Sequence, residues 1–543
     1  MGKKLNLKWV TDIIGYEYKK WRAGDVITIQ AQTGTGKTYF VKNKLIPSLG
    51  SLEKLLLVAN RINLKRQLKI DLLKYYKETI PTNIEELDKK TTIGNVTILS
   101  YQQIAEMKHM EEYGGDELNF NNFKYIICDE CHFFLADSSF NNKTDLVFKE
   151  LIRKRHRESI KIFISATIEE VVKSIENGFK DRAKNEWVIK ENKYKNYTTG
   201  VDYSYINTKY FKSIKDIATT IKNDRSEDKW LVFVTKKKDA NYIKERLEGV
   251  HKCNIITKDT KEDDKDLNKI INKSKFDCKV LICTKAMDNG INIQDDKVKN
   301  VVIMTFDKVT FIQELGRVRI NIEDAMNINL FIPMLKKSVF TTLINRRYEP
   351  KLADIKLLDE DLNSFKKKYN KSLEKPPVDI FYLDNNNNYT INANGHARLL
   401  KDQLFAKYIV DLYKDFGEYT YIYEQLKWLE LEDTFNIGNV MEDVVDNDEV
   451  GELENYLESI FDNKTVFLKA KDREPLIKAI GLVDFNHSNI KKDEIKYIKN
   501  IDTLNSHLNN RGSNFRIDNN FTKVVDGKRY KNPWRIIKLN SYE

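Results

Sequence analysis

Nine short, β-rich apolar runs, separated by longer stretches of mixed helical pattern, lie between residues 25 and 335, and no other feature restricts the fold as strongly. They read DVITIQA, KLLLVAN, NVTILSY, YIICDE, IKIFISAT, KWLVFVT, NIIT, KVLICT and NVVIMTF. Strands apolar along their whole length need cover on both faces, and strands that alternate with helices pair in parallel, so the expected fold class is α/β with covered parallel sheets. The runs form two sets. The first ends with IFISAT at 162–167, and a polar, Lys/Asn-rich passage around 180–200 precedes the second, which places a boundary near 195. A second boundary follows FIPML near 335, where strand signals stop. A chain of 543 residues exceeds what one core usually holds, and three or four domains are expected.

Beyond 335 the pattern is helical, interrupted by Pro376-Pro377 and by the turn-like DNNNNYTINANG segment. The expected domains are 1–195, 196–335, a helical accessory region 336–475 and a small basic module 476–543. Residues 430–462 carry 12 acidic side chains and no Lys or Arg; residues 491–543 carry 12 Lys/Arg against 6 Asp/Glu and read as a small α/β unit. The total charge of +11 therefore conceals +23 on the chain outside the acidic stretch, a surplus suited to a polyanion. Lys, Asn and Ile are abundant throughout, as codon bias from an AT-rich genome would also produce. Hydrophobic residues at 41%, charged residues at 32% and only 8 prolines exclude collagen-like, low-complexity and wholly disordered chains. Five cysteines make no disulfide framework, and the C-x-x-C spacing of Cys128 and Cys131 lacks the second pair a zinc site needs. Without a signal-like apolar N-terminus or an apolar run of about 18 residues, a soluble, cytoplasmic protein is expected.

Two segments carry chemistry. ITIQAQTGTGKTYF is an apolar strand, a glycine-rich loop and a helix start, in which backbone N–H groups converge on phosphate oxygens. Thr33, Gly34, Thr35, Gly36, Lys37 and Thr38 are the expected phosphate-binding residues, with Lys37 reaching the β- and γ-phosphates and Thr38 a ligand of Mg²⁺. Ala31 stands where the usual pattern has its first glycine. The second segment, YIICDECHFF, is an apolar strand ending in two carboxylates, Asp129 for the metal and Glu130 to polarise the attacking water.

With these motifs in register the chain resembles a superfamily 2 DExH (DECH-box) helicase, similar to those of phages and mobile elements. The remaining motifs follow in order: NRINLKRQ at 60–67, ILSYQQ at 98–103, SAT at 165–167, KWLVFVTKKKDA at 229–240, TKAMDNGINI at 284–293 and QELGRVR at 313–319. The resemblance covers about residues 20–335 and implies two tandem RecA-like domains, with ATP and a nucleic-acid strand bound in the interlobe clefts. It implies that Gln313 and Arg317 of the second lobe face the nucleotide, Arg317 stabilising charge on the transferred phosphoryl group. The usual second arginine would stand at 320, which is Ile; Arg319 is one place early. His132 is expected to contact Gln313 across the cleft. The resemblance further implies that Ser165 and Thr167 couple the lobes and that Asp288 and Gly290 lie where strand and nucleotide meet. Arg61, Ser100, Thr235 and Thr284 are the expected strand contacts. The basic run RKRHR at 153–157 reads as a solvated face.

No Gln precedes Gln30, so the adenine-reading Gln of DEAD-box proteins is missing, and the interval from Gly290 to Gln313 is too short for a long strand-separating hairpin. The final segment, in which Phe515, Arg516, Arg529, Tyr530, Trp534 and Arg535 alternate basic and aromatic character, is expected to form a small α/β module, either winged-helix-like and nucleic-acid-binding or a small capping domain with an ordinary basic surface. The expected function is an ATP- and Mg²⁺-dependent helicase or translocase, on DNA rather than RNA, with a protein partner at the C-terminal region. The alternatives are an RNA helicase and a nucleic-acid-triggered ATPase sensor or scaffold.

Overall fold

The computed structural model describes residues 2–60, 62–81, 83–111, 118–136, 144–154, 156–180, 193–257, 260, 264–284, 292–371, 375–384, 387–441, 447–482, 497–510 and 513–539. Arg61, Asp288 and Gly290 lie outside these residues. The chain forms a large unit, Met1–Lys215 with Ser226–Met441, and a small one, Asp216–Arg225 with Glu442–Glu543.

The large unit holds two sheets. The first comprises β1 (Val26–Gln30), β2 (Leu55–Val58), β3 (Thr92–Ile93), β4 (Val96–Leu99), β5 (Tyr125–Asp129), β6 (Ile160–Ser165) and β7 (Tyr194–Thr198), in the order β3-β4-β2-β5-β6-β1-β7. All its pairs are parallel except β3 with β4. The second comprises β8 (Ile206–Phe211), β9 (Lys229–Phe233), β10 (Cys253–Ile256), β11 (Val280–Cys283), β12 (Val298–Ile303) and β13 (Ile328–Pro333), all parallel in the order β10-β11-β9-β12-β13-β8. The inner strands β2, β6 and β11 are buried along their whole length, as strands covered on both faces must be. These are the two tandem RecA-like domains.

Two edge strands escape the apolar-run criterion. β7, YKNYT, is polar and half-exposed, and it pairs with β1 inside the passage read as a linker. The boundary expected at 195 therefore falls within a strand of the first lobe. β8, INTKYF, alternates buried and exposed residues beside β13. An edge strand pairs on one side only and needs less apolar surface than a central one.

The accessory helices do not form a separate body. Phe340, Ile344, Phe365, Leu399, Tyr421 and Trp428 join the second lobe's core cluster. The 24-residue helix Ala393–Phe416 also reaches the first lobe. There Asn394 Nδ2 donates to Thr144 O at 3.1 Å, and Lys401 pairs with Glu170. Within this region β14 (Phe381–Leu383) and β15 (Tyr389–Ile391) form a hairpin around the Asn-rich turn.

A second bridge between the lobes is the N-terminal segment. Lys3 exchanges backbone hydrogen bonds with Ala325, each 2.8 Å, and Leu5 N donates to Ile322 O at 2.9 Å. Farther along, Lys8 N donates to Thr199 O at 3.0 Å and Val10 N to Thr35 O at 3.0 Å, in the glycine-rich loop. Leu5 and Leu7 enter the second lobe's core, whereas Val10 and Ile14 enter the first lobe's. The segment is a strap across both lobes.

The small unit contains the helix Asn447–Asp462, β16 (Val466–Phe467), the helices Glu474–Ile480 and Ile501–Asn510, β17 (Phe515–Asp518), the hairpin β18 (Thr522–Val525) and β19 (Lys528–Lys531), and β20 (Trp534–Lys538). Its main sheet is antiparallel, in the order β16-β20-β17. Because β16 pairs with β20, this module draws on residues before 476, where the sequence placed the accessory region.

The strap generates a test. Leu5→Ala removes a buried leucine from the interlobe contact, for which a cost of about 2 kcal/mol is expected. The melting temperature should fall by a few degrees, measured by calorimetry; an unchanged melting curve would show that the strap does not hold the lobes.

Candidate nucleotide site between the lobes

The glycine-rich loop follows β1 directly, and Ala31 N donates to Ser165 O on the neighbouring β6 at 3.0 Å. Gly34 and Gly36 adopt φ of 94° and 87°, the left-handed region that glycine enters without steric cost. Thr35 is fully buried, its hydroxyl donating to Gln32 O at 2.7 Å. Lys37 opens the helix that follows, so the loop's N–H groups and the positive end of that helix face the same space. This is a cradle for a phosphate chain.

At the tip of β5 the backbone turns sharply. Glu130 takes φ of 49°, a conformation that costs a non-glycine residue about 1 kcal/mol or more and persists only where neighbours enforce it. The enforcers are visible. Tyr101 OH donates to Asp129 O at 2.8 Å, Cys131 N donates to Ile164 O at 3.1 Å, and the Tyr101 ring stacks on Phe133 at 4.3 Å. The strained turn aims the Glu130 carboxylate at the loop, where Lys37 Nζ lies 3.3 Å from Oε1. Gln313 Nε2 donates to Oε2 at 3.3 Å, and His132 Nδ1 is 3.4 Å from the same oxygen. His132 Nδ1 also lies 3.0 Å from Ser165 Oγ, which accepts from Thr167 N at 3.1 Å. His132 and Gln313 thus meet on Glu130, a link through the carboxylate that the direct contact expected from sequence did not include.

Cys128 and Cys131 are buried and free. Burial pushes the Cys128 thiol up to about 12 and raises Cys131 as well, so both pack as apolar groups. Among the described residues no group of three His, Cys, Asp or Glu side chains could hold a metal ion.

The second lobe contributes the helix Lys308–Leu315, capped where Asp307 Oδ1 accepts from Thr310 N at 2.9 Å. It carries Gln313 and ends at Gly316. A Cβ on Gly316 would lie 2.5 Å from Thr33 Oγ1, so only glycine lets this turn approach the loop so closely. Ile320 O lies 3.5 Å from where a Cβ on Gly34 would stand. The resulting cavity, about 510 Å³, is lined by Gly34, Gly36, Lys37 and Thr38 from one lobe and by Arg319, Ile320 and Asn321 from the other. That volume suits a small-molecule ligand. Arg319 is on the cavity wall, whereas Arg317 is buried, and its charge is felt by the Cys283 thiol in the lobe interior.

Other expected residues fall in different surroundings. Ser100 closes a capping box: its hydroxyl accepts from Gln103 N at 3.0 Å while Gln103 Oε1 accepts from Ser100 N at 2.8 Å. The S-x-x-Q spacing is the sequence signal for this structural role. Thr235 is exposed just past β9, and Thr284, half-buried, just past β11. In RKRHR, His156 is buried and stacked on Phe120, and desolvation lowers its pKa to about 3, so the run is not a uniform solvated face.

Three participants escape sequence reasoning. Trp9 and Tyr39 line the cavity, and Trp9 lies 3.3 Å from a Cβ placed on Gly36. Gln32, 3% exposed, bonds Asp202 through both amide atoms, Nε2 to O at 2.9 Å and Oε1 from N at 2.8 Å, tying the loop to the interlobe connection. Trp9 and Gln32 act across the fold, where no periodicity or spacing marks them, whereas Tyr39 sits in the helix that follows the loop.

Residues 11–170 match the family model "Type III restriction enzyme, res subunit", and residues 210–321 match "Helicase conserved C-terminal domain". No curated protein matches the sequence. Similar solved structures include S. cerevisiae Dbp5 bound to RNA and ADP BeF3, at 18% identity over 59% of this chain and 81% of that one, TM-score 0.41. A DEAD box protein from Methanococcus jannaschii is 18% identical over 59% of this chain and 85% of that one, TM-score 0.33. The Escherichia coli DEAH/RHA helicase HrpB is 12% identical over 78% of this chain and 61% of that one, TM-score 0.40. With the restriction-enzyme model over its first lobe and the helicase model over its second, this chain is a superfamily 2 nucleic-acid-dependent ATPase of the helicase class.

Proposed function

We propose that the chain is a DExH-type translocase that converts ATP hydrolysis into movement along single-stranded DNA and separation of duplex. One observation carries the reading: the Glu130 carboxylate is contacted both by Lys37 of the glycine-rich loop and by Gln313 of the opposite lobe. Lys37 moves from Glu130 to the β- and γ-phosphates when ATP enters. Glu130 then accepts a proton from the attacking water, oriented by Gln313 and His132. Arg319, on the cavity wall, stabilises negative charge on the transferred phosphoryl group. Thr38 and Asp129 offer the hard oxygen donors that Mg²⁺ takes, and the ion would neutralise phosphate charge. Because Gln313 and Arg319 belong to the second lobe, the site is complete only while the lobes are together.

The strand would run past Arg61, Thr235 and Thr284, with Asp288 and Gly290 joining it to the nucleotide. The hydrogen bonds from His132 to Ser165 and on to Thr167 give the first lobe a route from Glu130 to the end of β6. DNA is favoured by the DExH character of the DECH motif and by the resemblance to helicases of phages and mobile elements. ATP turnover measured with matched single-stranded DNA and RNA tests the choice: stronger stimulation by DNA is expected, and stronger stimulation by RNA overturns it. Strand displacement from 3′-tailed or 5′-tailed duplexes is expected; brisk turnover with neither displaced identifies a sensor.

Glu130→Gln keeps the shape but removes the base, and turnover should fall about 10²–10⁴-fold while ATP still binds. Retained turnover would remove Glu130 from the role. Arg319→Ala should lower kcat about 10²–10³-fold with little change in ATP affinity, as expected for charge stabilisation in the transition state. A loss of ATP binding with unchanged kcat would assign Arg319 to ground-state binding instead.

A further inference from the structure

The small unit carries a polar and basic surface outside the ATPase motifs. Its order of elements is helix, strand, helix, helix, strand, hairpin, strand, closed by the antiparallel β16-β20-β17 sheet. Leu504 and Leu508 of the helix Ile501–Asn510 enter its core with Leu457, Leu476, Phe515 and Trp534. The opposite face of that helix carries short polar side chains, Thr503, Ser506 and Asn509, and one carboxylate, Asp502, all exposed.

The charges of this unit are sorted. Arg473 lies over the Trp534 ring at 4.6 Å, Arg535 pairs with Asp518 at 2.8 Å, Arg516 donates to the carbonyls of Ser513 and Phe515, and Lys538 pairs with Glu458 at 2.6 Å. These cations serve the module's own packing. The β18–β19 hairpin differs, with Lys523, Lys528, Arg529 and Lys531 all exposed around one acid, Asp526. Among the described residues no carboxylate pairs with Lys523, Arg529 or Lys531. The hairpin turns at Asp526-Gly527 with φ of 50° and 73°, the two left-handed residues of a tight type I′ turn. Its register pairs Val524 with Arg529 and Thr522 with Lys531, so these two cations share one face while Lys523 and Lys528 occupy the other. A stiff ribbon with cations on both faces can span phosphates on two sides.

We propose that this surface docks duplex DNA, the helix Ile501–Asn510 entering the major groove and the β18–β19 hairpin holding the flanking phosphates. The B-form major groove, about 12 Å wide, admits a helix, whereas the deep, narrow groove of duplex RNA does not. Short hydroxyl and amide side chains bond base edges and phosphates alike. The acidic helix Asn447–Asp462 packs against β17 and β20, where Glu458 is neutralised by Lys538. The proposal stands on this unit alone and does not depend on which strand the motor follows.

The test uses the full-length chain without nucleotide and a labelled blunt DNA duplex of about 20 base pairs, read by fluorescence anisotropy across a salt series. Arg529→Glu combined with Lys531→Glu should weaken duplex binding about 10-fold or more and reduce the log–log salt slope by about 2, since each phosphate contact contributes about 0.9. ATP turnover stimulated by a short single strand should be unchanged, which separates this site from the motor. Ser506→Glu, on the exposed helix face, should weaken the duplex as well while the melting temperature stays constant. Unchanged duplex affinity and slope in both variants would overturn the proposal, as would tighter binding of the matched duplex RNA that the same substitutions abolish.

Discussion

A carboxylate 6% exposed, set on a residue with φ of 49°, is the point on which the rest of the structure depends. A buried charge needs a partner close by, and Glu130 has Lys37 at 3.3 Å. Much of the first lobe is arranged to hold that geometry. The parallel order places the ends of β1, β5 and β6 side by side, so the glycine-rich loop, the DECH turn and Ser165 share one edge of the sheet. The stacked Tyr101 and Phe133 rings keep the turn from relaxing. The second lobe completes the arrangement through Gln313, and Gly316 is the residue that lets it come close enough.

Lobe proximity is thereby a chemical variable. The helix Ala393–Phe416 and the N-terminal strap each touch both lobes, at places other than Glu130. The strap ends on Thr35 O within the phosphate loop, and Gln32 ties that loop to Asp202 in the connection between lobes. A change in lobe arrangement must therefore be felt at the loop through backbone hydrogen bonds as well as through Gln313. The accessory helices share the second lobe's core, which makes them extensions of that lobe.

What is legible in the sequence is local. The glycine-rich loop, the DECH strand tip and the Gln313 helix each sit within one strand–loop–helix stretch, so a short motif suffices to find them. β7 and β8 escape because edge strands tolerate polar residues, and the strap escapes because its bonds are backbone to backbone and its leucines are spread among Lys and Asn. The meeting of His132 and Gln313 on one oxygen joins positions far apart in sequence; the motif resemblance implies that the two approach each other, but not that Glu130 lies between them. Arg319 stands one place off the usual pattern, yet the turn after Gly316 brings it to the cavity wall. Ser100, read as a strand contact, also closes the capping box of the helix that follows it.

If the interlobe site works as one unit, Gln313 acts on hydrolysis through the Glu130 carboxylate. A double-mutant cycle on kcat for strand-stimulated ATP turnover, combining Glu130→Gln with Gln313→Ala, measures this directly. With both residues serving one step at one carboxylate, the double variant should be no slower than Glu130→Gln alone. Losses that multiply would show that Gln313 acts independently, and would contradict the coupling of the two lobes through Glu130.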